Sequence, residues 1–317
     1  MSKEVLVHAE QLYRYYSQTC AVNGVSFDLA KGEVLGFLGP NGAGKSTTMQ
    51  IITGNLAPSG GQINIHGIDL LDRPKQAKRE IGYLPEQPPV YRELTVDEYL
   101  HYCARLNRVA RGAVSRAVAT VKERCGLGAT GPRLIGNLSK GYQQRVGIAQ
   151  AIIHTPAVVV LDEPTVGLDP IQIREIRTLI RELGKEHGII LSTHILPEVQ
   201  ATCSRVQIIH QGRLVFVDTM SGLERRLNAT SLIAGFSSAP EPATLQEIAG
   251  IDRAETLGGG RIRIHYSDGN PAEALVEHAV ANRWGLQELT PERHTLEQIF
   301  IELTCTEAPD TTGMEAA

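Results

Sequence analysis

Two short segments carry side chains whose types and order suit chemistry on a phosphorylated ligand. The first is Gly39-Pro40-Asn41-Gly42-Ala43-Gly44-Lys45-Ser46, followed by Thr47. It matches the phosphate-loop pattern G-x-x-x-x-G-K-[ST]. Glycines let such a loop wrap so that successive N–H groups converge on phosphate oxygens at a helix N-terminus. Lys45 would bring a mobile positive charge to β- and γ-phosphates, and the Ser46 hydroxyl would hold Mg²⁺. At ordinary glycine and lysine usage, chance gives the pattern in roughly one chain per hundred of this length. The second segment is Asp162-Glu163, which ends the apolar run 158–161. Asp162 would place Mg²⁺ through its water shell, and Glu163 could polarise an attacking water as general base. Alone, an acidic pair after a strand fits a solvated loop or a helix cap equally well.

These segments need elements that bring them together. Short apolar runs at 34–38, 81–84, 158–161, 189–192 and 206–210 read as strands, several of them followed by helical patterns, which predicts a parallel α/β core. The phosphate loop follows the first of these runs, and the acidic pair sits at the C-terminal end of another, where open α/β sheets bind ligands. Residues 5–12, 22–29 and 62–66 suggest a separate antiparallel layer. Ile176, Leu179, Ile180 and Leu183 recur at helical spacing, so one helix face should cover the sheet.

Between Tyr91 and Asn137 the strand signal disappears. Thr95-Val96-Asp97-Glu98 is a capping box opening a helix to about Asn107, and 113–125 is a second helix stopped at Gly126. Beyond about Met220 the order becomes strand 231–238, helix 243–249, two strands with the second at 261–266, helix 271–282, strand 284–289 and helix 295–303. That βαββαβ order suggests a small ferredoxin-like unit. The expected organisation is a nucleotide-binding domain over 1–220 with a helical subdomain at about 88–140, an accessory α+β domain over 221–305, and a disordered tail over 306–317.

Composition restricts the function classes. With 317 residues, 42% hydrophobic and 21% charged, the chain has ordinary globular composition. Its net charge of −4 provides no overall basic field for nucleic acid or an anionic bilayer. The start lacks the apolar core of a secretory signal and no run of about 18 apolar residues occurs, which places the chain in the cytoplasm. The five cysteines, Cys20, Cys103, Cys125, Cys203 and Cys305, are scattered without CxxC spacing and read as reduced packing thiols.

Leu138-Ser139-Lys140-Gly141-Tyr142-Gln143-Gln144-Arg145 lies shortly before the acidic strand. In order and spacing these segments resemble the ABC ATPase family over about residues 4–220. The resemblance implies a P-loop NTPase core with an antiparallel β layer and a helical subdomain. It makes Ser139 and Gly141 the matching part of a signature motif that binds the γ-phosphate of ATP held by the opposing subunit. Lys140 and Tyr142 replace the usual second glycine and glutamine, and no role passes to them. Ser139 also suits a plain N-cap.

By the same resemblance His194 occupies the place of a switch histidine at the γ-phosphate. Asp169, in Val166-Gly167-Leu168-Asp169, is the carboxylate linking two subunits' sites, or a helix N-cap, or both. Tyr16 aligns with an adenine-stacking aromatic, with Tyr13 and Tyr15 close by. Glu86 stands where the family carries a Mg²⁺-sensing glutamine that touches the membrane subunit, and Gln87 is the alternative. The cofactors implied are ATP and Mg²⁺. The partners implied are a second copy (or a paired ATPase subunit) and an integral membrane permease, with the chain on the inner face of the membrane. The acidic loop at Glu86, Ile195-Leu196-Pro197-Glu198, and the stretch 296–303 resemble the type-2 export branch, whose ATPases carry a small C-terminal domain. A soluble ATPase acting as a clamp or assembly factor is the alternative.

Overall fold

The computed structural model describes residues 4–227, 231–267 and 269–292. The chain divides into two compact units, Met1–Met220 and Ser221–Ala317.

The first unit opens on a hairpin of two long strands, β1 (Val5–Tyr16) and β2 (Thr19–Ala30). Val7, Ala9 and Leu12 are buried on β1 and Val25, Phe27 and Leu29 on β2; alternation holds from Val25 to Leu29 and breaks on β1 at the register shift between Ala9 and Leu12. With β4 (Gly60–Ile65) and β5 (Ile68–Asp69) they form an antiparallel sheet in the order β2-β1-β4-β5. This is the layer expected from 5–12, 22–29 and 62–66.

The second sheet combines β3 (Val34–Leu38), β6 (Ile81–Leu84), β7 (Val158–Asp162), β8 (Gly188–Thr193), β9 (Arg205–His210) and β10 (Arg213–Thr219). Their order is β10-β9-β3-β8-β7-β6, and the pairings from β9 to β6 are parallel. β3, β7 and β8 are buried along their whole length, which is why they read as continuous apolar runs. β10 turns back antiparallel on β9, an edge strand absent from the expectation. Its alternating burial is weak, so periodicity gave little signal there.

Among the described residues, α-helices α1–α7 lie within this unit. α1 (Lys45–Ile52) follows β3, and α2 (Pro74–Ala77) precedes β6. α3 (Val96–Leu106) starts at the expected capping box: the Thr95 side chain accepts from the Glu98 N–H, and the Glu98 carboxylate accepts from the Thr95 N–H. α4 (Val114–Arg124) stops before Gly126, whose φ of +66° suits a helix end. α5 (Lys140–Ile152) packs against α3, α4 and β6. α6 (Pro170–Leu183) buries Ile176, Leu179, Ile180 and Leu183, each worth about 1.5–3 kcal/mol relative to exposure. α7 (Leu196–Thr202) leads into β9.

α8 (Met220–Leu227) crosses into the second unit. There β11 (Ser231–Phe236), α9 (Pro242–Gln246), β12 (Arg253–Gly258), β13 (Arg261–His265), α10 (Ala272–Ala281) and β14 (Leu286–Glu292) follow in βαββαβ order. The sheet runs β12-β13-β11-β14, all antiparallel, which is the ferredoxin-like arrangement. Leu232, Ala234 and Phe236 of β11 and Ile262 and Ile264 of β13 pack with Leu245, Leu275 and Ala279 from the helices. β14 begins two residues later than expected, because Trp284 and Gly285 are used in the turn after α10. The Trp284 N–H donates to the Ala279 carbonyl, and Gly285 has a φ of +64°. The expected helix at 295–303, the tail at 306–317 and Cys305 lie outside the described residues.

Candidate functional site

The phosphate loop joins β3 to α1 over residues 39–44. Two of its glycines are required by close approach. A Cβ on Gly39 would come within 2.4 Å of the Ile209 carbonyl oxygen. On Gly44, at φ +105°, it would come within 2.5 Å of the Ala21 carbonyl oxygen. The loop is tied down by the Ala43 N–H donating to the Pro40 carbonyl at 3.2 Å and the Gly212 N–H donating to Ala43 at 2.9 Å. This leaves the first turn of α1 at the mouth of a cavity of about 290 Å³. The early N–H groups of a helix have no intrahelical acceptor, so the end is suited to an anion.

Asn41, Gly42, Gly44, Lys45, Ser46 and Thr47 line that cavity from the loop side. Glu86 faces it from the segment after β6, Glu163 from the end of β7 and His194 from the end of β8. Three separate strands of the parallel sheet therefore deliver charged or titratable groups to the loop that follows a fourth. Gln87, the alternative to Glu86, does not line the cavity. Gly39 and Pro40 contribute carbonyls to the Lys45 ammonium, which donates to them at 2.8 and 3.2 Å.

Lys45 is also 3.7 Å from Glu163 Oε1, and both side chains are almost fully buried. His194 Nδ1 lies 2.9 Å from the same oxygen. Glu163 itself has a φ of +49°, a left-handed conformation that costs a non-glycine residue about 1–3 kcal/mol. Its N–H donates to the Ser192 carbonyl at 2.8 Å, which fixes the turn at the end of β7. Glu163 Oε2 is buried with no hydrogen-bond partner among the described residues, so a carboxylate oxygen is left to accept from a group that is not protein.

Asp162 Oδ1 is likewise buried without a partner. Burial, with the Asp162 charge nearby, pushes the Tyr83 phenol up to about 12. Ser46 and Glu86 line the cavity while Asp162, with its orphaned oxygen, does not; all three offer oxygen donors, the kind Mg²⁺ takes in preference to a softer metal.

Of the expected site residues, Asp162 does not line this cavity, nor do Gly39, Pro40 and Ala43 of the adjoining loop, and Ser139, Gly141, Asp169 and Tyr16 are placed elsewhere. Ser139 caps α5, its hydroxyl accepting from the Tyr142 N–H at 3.5 Å. Gly141 lies against the Gln172 side chain, where a Cβ would come within 2.5 Å of it. Asp169 caps α6 by accepting from the Gln172 N–H at 2.9 Å. Tyr16 ends β1 half exposed, with the Arg14 guanidinium 4.9 Å from its ring centroid. Sequence reasoning in turn missed Ala21 and Val166, which line the cavity. Both are small or apolar, and nothing in their type signals a ligand.

The family described as ABC transporter matches residues 22–166. The linearmycin resistance ATP-binding protein LnrL of Bacillus subtilis is 31% identical over 306 residues, covering 94% of this chain and 98% of that protein. The bacitracin transport ATP-binding protein BcrA of Bacillus licheniformis is 34% identical over 301 residues, covering 94% and 97%. Among solved structures, an ATP-binding subunit of an ABC transporter superposes with a TM-score of 0.64 at 33% identity, covering 70% of this chain and 92% of that one.

Proposed function

The chain belongs to the ATP-binding subunits of ABC transporters, which hydrolyse ATP, and from that premise we propose that two copies close around two MgATP and drive export through a separate integral membrane permease. A paired, related ATPase subunit is the variant of the same arrangement. One observation carries the reading. The cavity holds Lys45, Ser46, Glu86, Glu163 and His194, whereas Ser139 and Gly141, which the family resemblance assigns to ATP held by the opposing subunit, and Asp169, assigned to the link between the two sites, lie outside it. A site divided in this way is completed by a second subunit.

Each residue then has a role. The loop N–H groups and Lys45 bind the phosphates. Glu163 accepts a proton from the attacking water, and His194 holds Glu163 on one oxygen so that the other faces that water. Ser46, Asp162 and Glu86 would hold Mg²⁺, and the ion when bound would neutralise charge on the β- and γ-phosphates. Ser139, Gly141 and the α5 N-terminus face the γ-phosphate of the partner's ATP, Asp169 links the two sites, and Tyr16 stacks on adenine. The ferredoxin-like unit is an accessory domain.

Outward transport is supported by the relatives, one named for bacitracin transport and one for linearmycin resistance. Among the described residues no helix is long and apolar enough to cross a membrane. Full-length chain captured from detergent-solubilised native membranes should carry an integral membrane protein that stimulates its ATPase activity. Recovery of soluble partners alone would favour the clamp or assembly reading.

Glu86 both lines the cavity and sits in the loop assigned to permease contact. Glu86→Ala should therefore reduce stimulation by the permease more than it reduces ATP affinity, while Gln87→Ala should leave stimulation nearly intact. Equal stimulation in Glu86→Ala and wild type would move the coupling to Gln87 or to neither.

A further inference from the structure

We propose that Glu198 is a positioning residue for hydrolysis, whose carboxylate ties the segment after Glu163 to the segment carrying His194. The inference rests on the roles proposed above for those two residues. Glu198 lies in the first turn of α7, where an acid ordinarily sits in solvent and complements the helix dipole. Here it is turned inward and is 1% exposed.

Both carboxylate oxygens are engaged. The Thr165 hydroxyl donates to Oε1, and the Thr193 hydroxyl donates to Oε2 at 2.9 Å. Thr193 Oγ in turn accepts from the Ile195 N–H at 3.1 Å. Thr165 is two residues beyond Glu163, and Thr193 and Ile195 flank His194 on either side. One buried carboxylate thus grips both chains that carry the 2.9 Å contact between His194 and Glu163. No cation pairs with Glu198 among the described residues, so hydroxyl donors alone offset its desolvation.

That arrangement costs more than an apolar residue of similar volume would, since a buried carboxylate without a cation is a poor way simply to fasten a helix. It has a use where geometry must be exact. Glu163 is held at a φ of +49°, outside the conformations its own backbone prefers, and nearby contacts must over-determine it. Displacement of a reacting group by about 1 Å can cost about a hundredfold in rate. In the Glu198 network, the two strands' ends cannot shift separately without breaking a buried hydroxyl-to-carboxylate bond.

The test uses the full-length chain and reads kcat, ATP affinity and thermal midpoint together. Glu198→Gln offers one acceptor in place of two, so kcat should fall about tenfold or more while ATP affinity stays within about threefold. Thr165→Val should lower kcat similarly, and Thr165→Ser, which keeps the hydroxyl, should restore it. A fastening role alone would lower the midpoint and leave kcat per folded molecule unchanged. Glu163→Gln is run alongside. If it abolishes turnover while Glu198→Gln turns over like wild type, the inference is overturned and the base assignment stands. If Glu163→Gln itself turns over normally, the base assignment is what fails. Should Glu198→Gln not fold, equal kcat in Thr165→Val and Thr165→Ser overturns the inference.

Discussion

Glu163→Gln should hydrolyse ATP about 10²–10⁴-fold more slowly than the wild type, a barrier increase of roughly 3–5 kcal/mol, while still binding it. The substitution preserves side-chain shape and so keeps an oxygen for the 2.9 Å contact with His194. It removes the negative charge of a carboxylate that lines the cavity and whose Oε2 has no hydrogen-bond partner among the described residues. Binding is not expected to suffer. Lys45 now shares its charge with Glu163 at 3.7 Å, and removing that carboxylate leaves the ammonium freer for phosphate. Steady-state phosphate release and equilibrium ATP binding on the same preparation separate the two effects. Wild-type turnover would remove Glu163 from the role of base.

Lys45→Ala should weaken MgATP binding by at least about a hundredfold. Two charge-assisted hydrogen bonds to phosphate oxygens contribute about 1.5–3 kcal/mol each, and about 1.4 kcal/mol is a factor of ten. The lower end of that range applies. In this structure Lys45 donates to the carbonyls of Gly39 and Pro40, and it must exchange those bonds to reach a phosphate. The same substitution strips the buried Glu163 carboxylate of its nearest cation, and breaking a buried pair costs about 3–5 kcal/mol. Thermal unfolding therefore belongs beside the binding assay, so that lost folding is not read as lost affinity. Near-wild-type affinity in equilibrium dialysis, on folded protein, would contradict the phosphate-contact role.

The apolar runs of β3, β7 and β8 are legible because central parallel strands are buried on both faces, and the capping box of α3 is legible because its two bonds are local. Motifs of contiguous residues, such as 39–46, carry their own register. The edge strand β10 was hidden because half-exposed strands have little contrast between faces. β14 starts later than its apolar pattern suggests because the Trp284–Ala279 backbone bond, which closes the end of α10 locally, draws an apolar residue into the turn. The site shows the same division. Lys45 and Glu163 stand in recognisable patterns, but their 3.7 Å approach depends on how β3 and β7 are ordered in the sheet. Glu198 stood in the sequence only as the end of the stretch 195–198, and its burial and its two threonine partners distinguish it. Tyr16 remains at the end of β1 outside the cavity lining, so the adenine contact is the assignment that depends most on the bound nucleotide.

The division of the site between two subunits is the claim on which the other roles depend. It is tested most directly by light-scattering mass of Glu163→Gln in MgATP and in MgADP. Unhydrolysed ATP bridging Lys45 of one subunit and Ser139 of the other stabilises the closed pair by mass action. The protein should therefore have the mass of a dimer in ATP and a lower mass in ADP, and adding Ser139→Arg should abolish the ATP-dependent dimer. A Glu163→Gln protein that binds ATP yet keeps the mass of one chain would contradict a site shared between two copies.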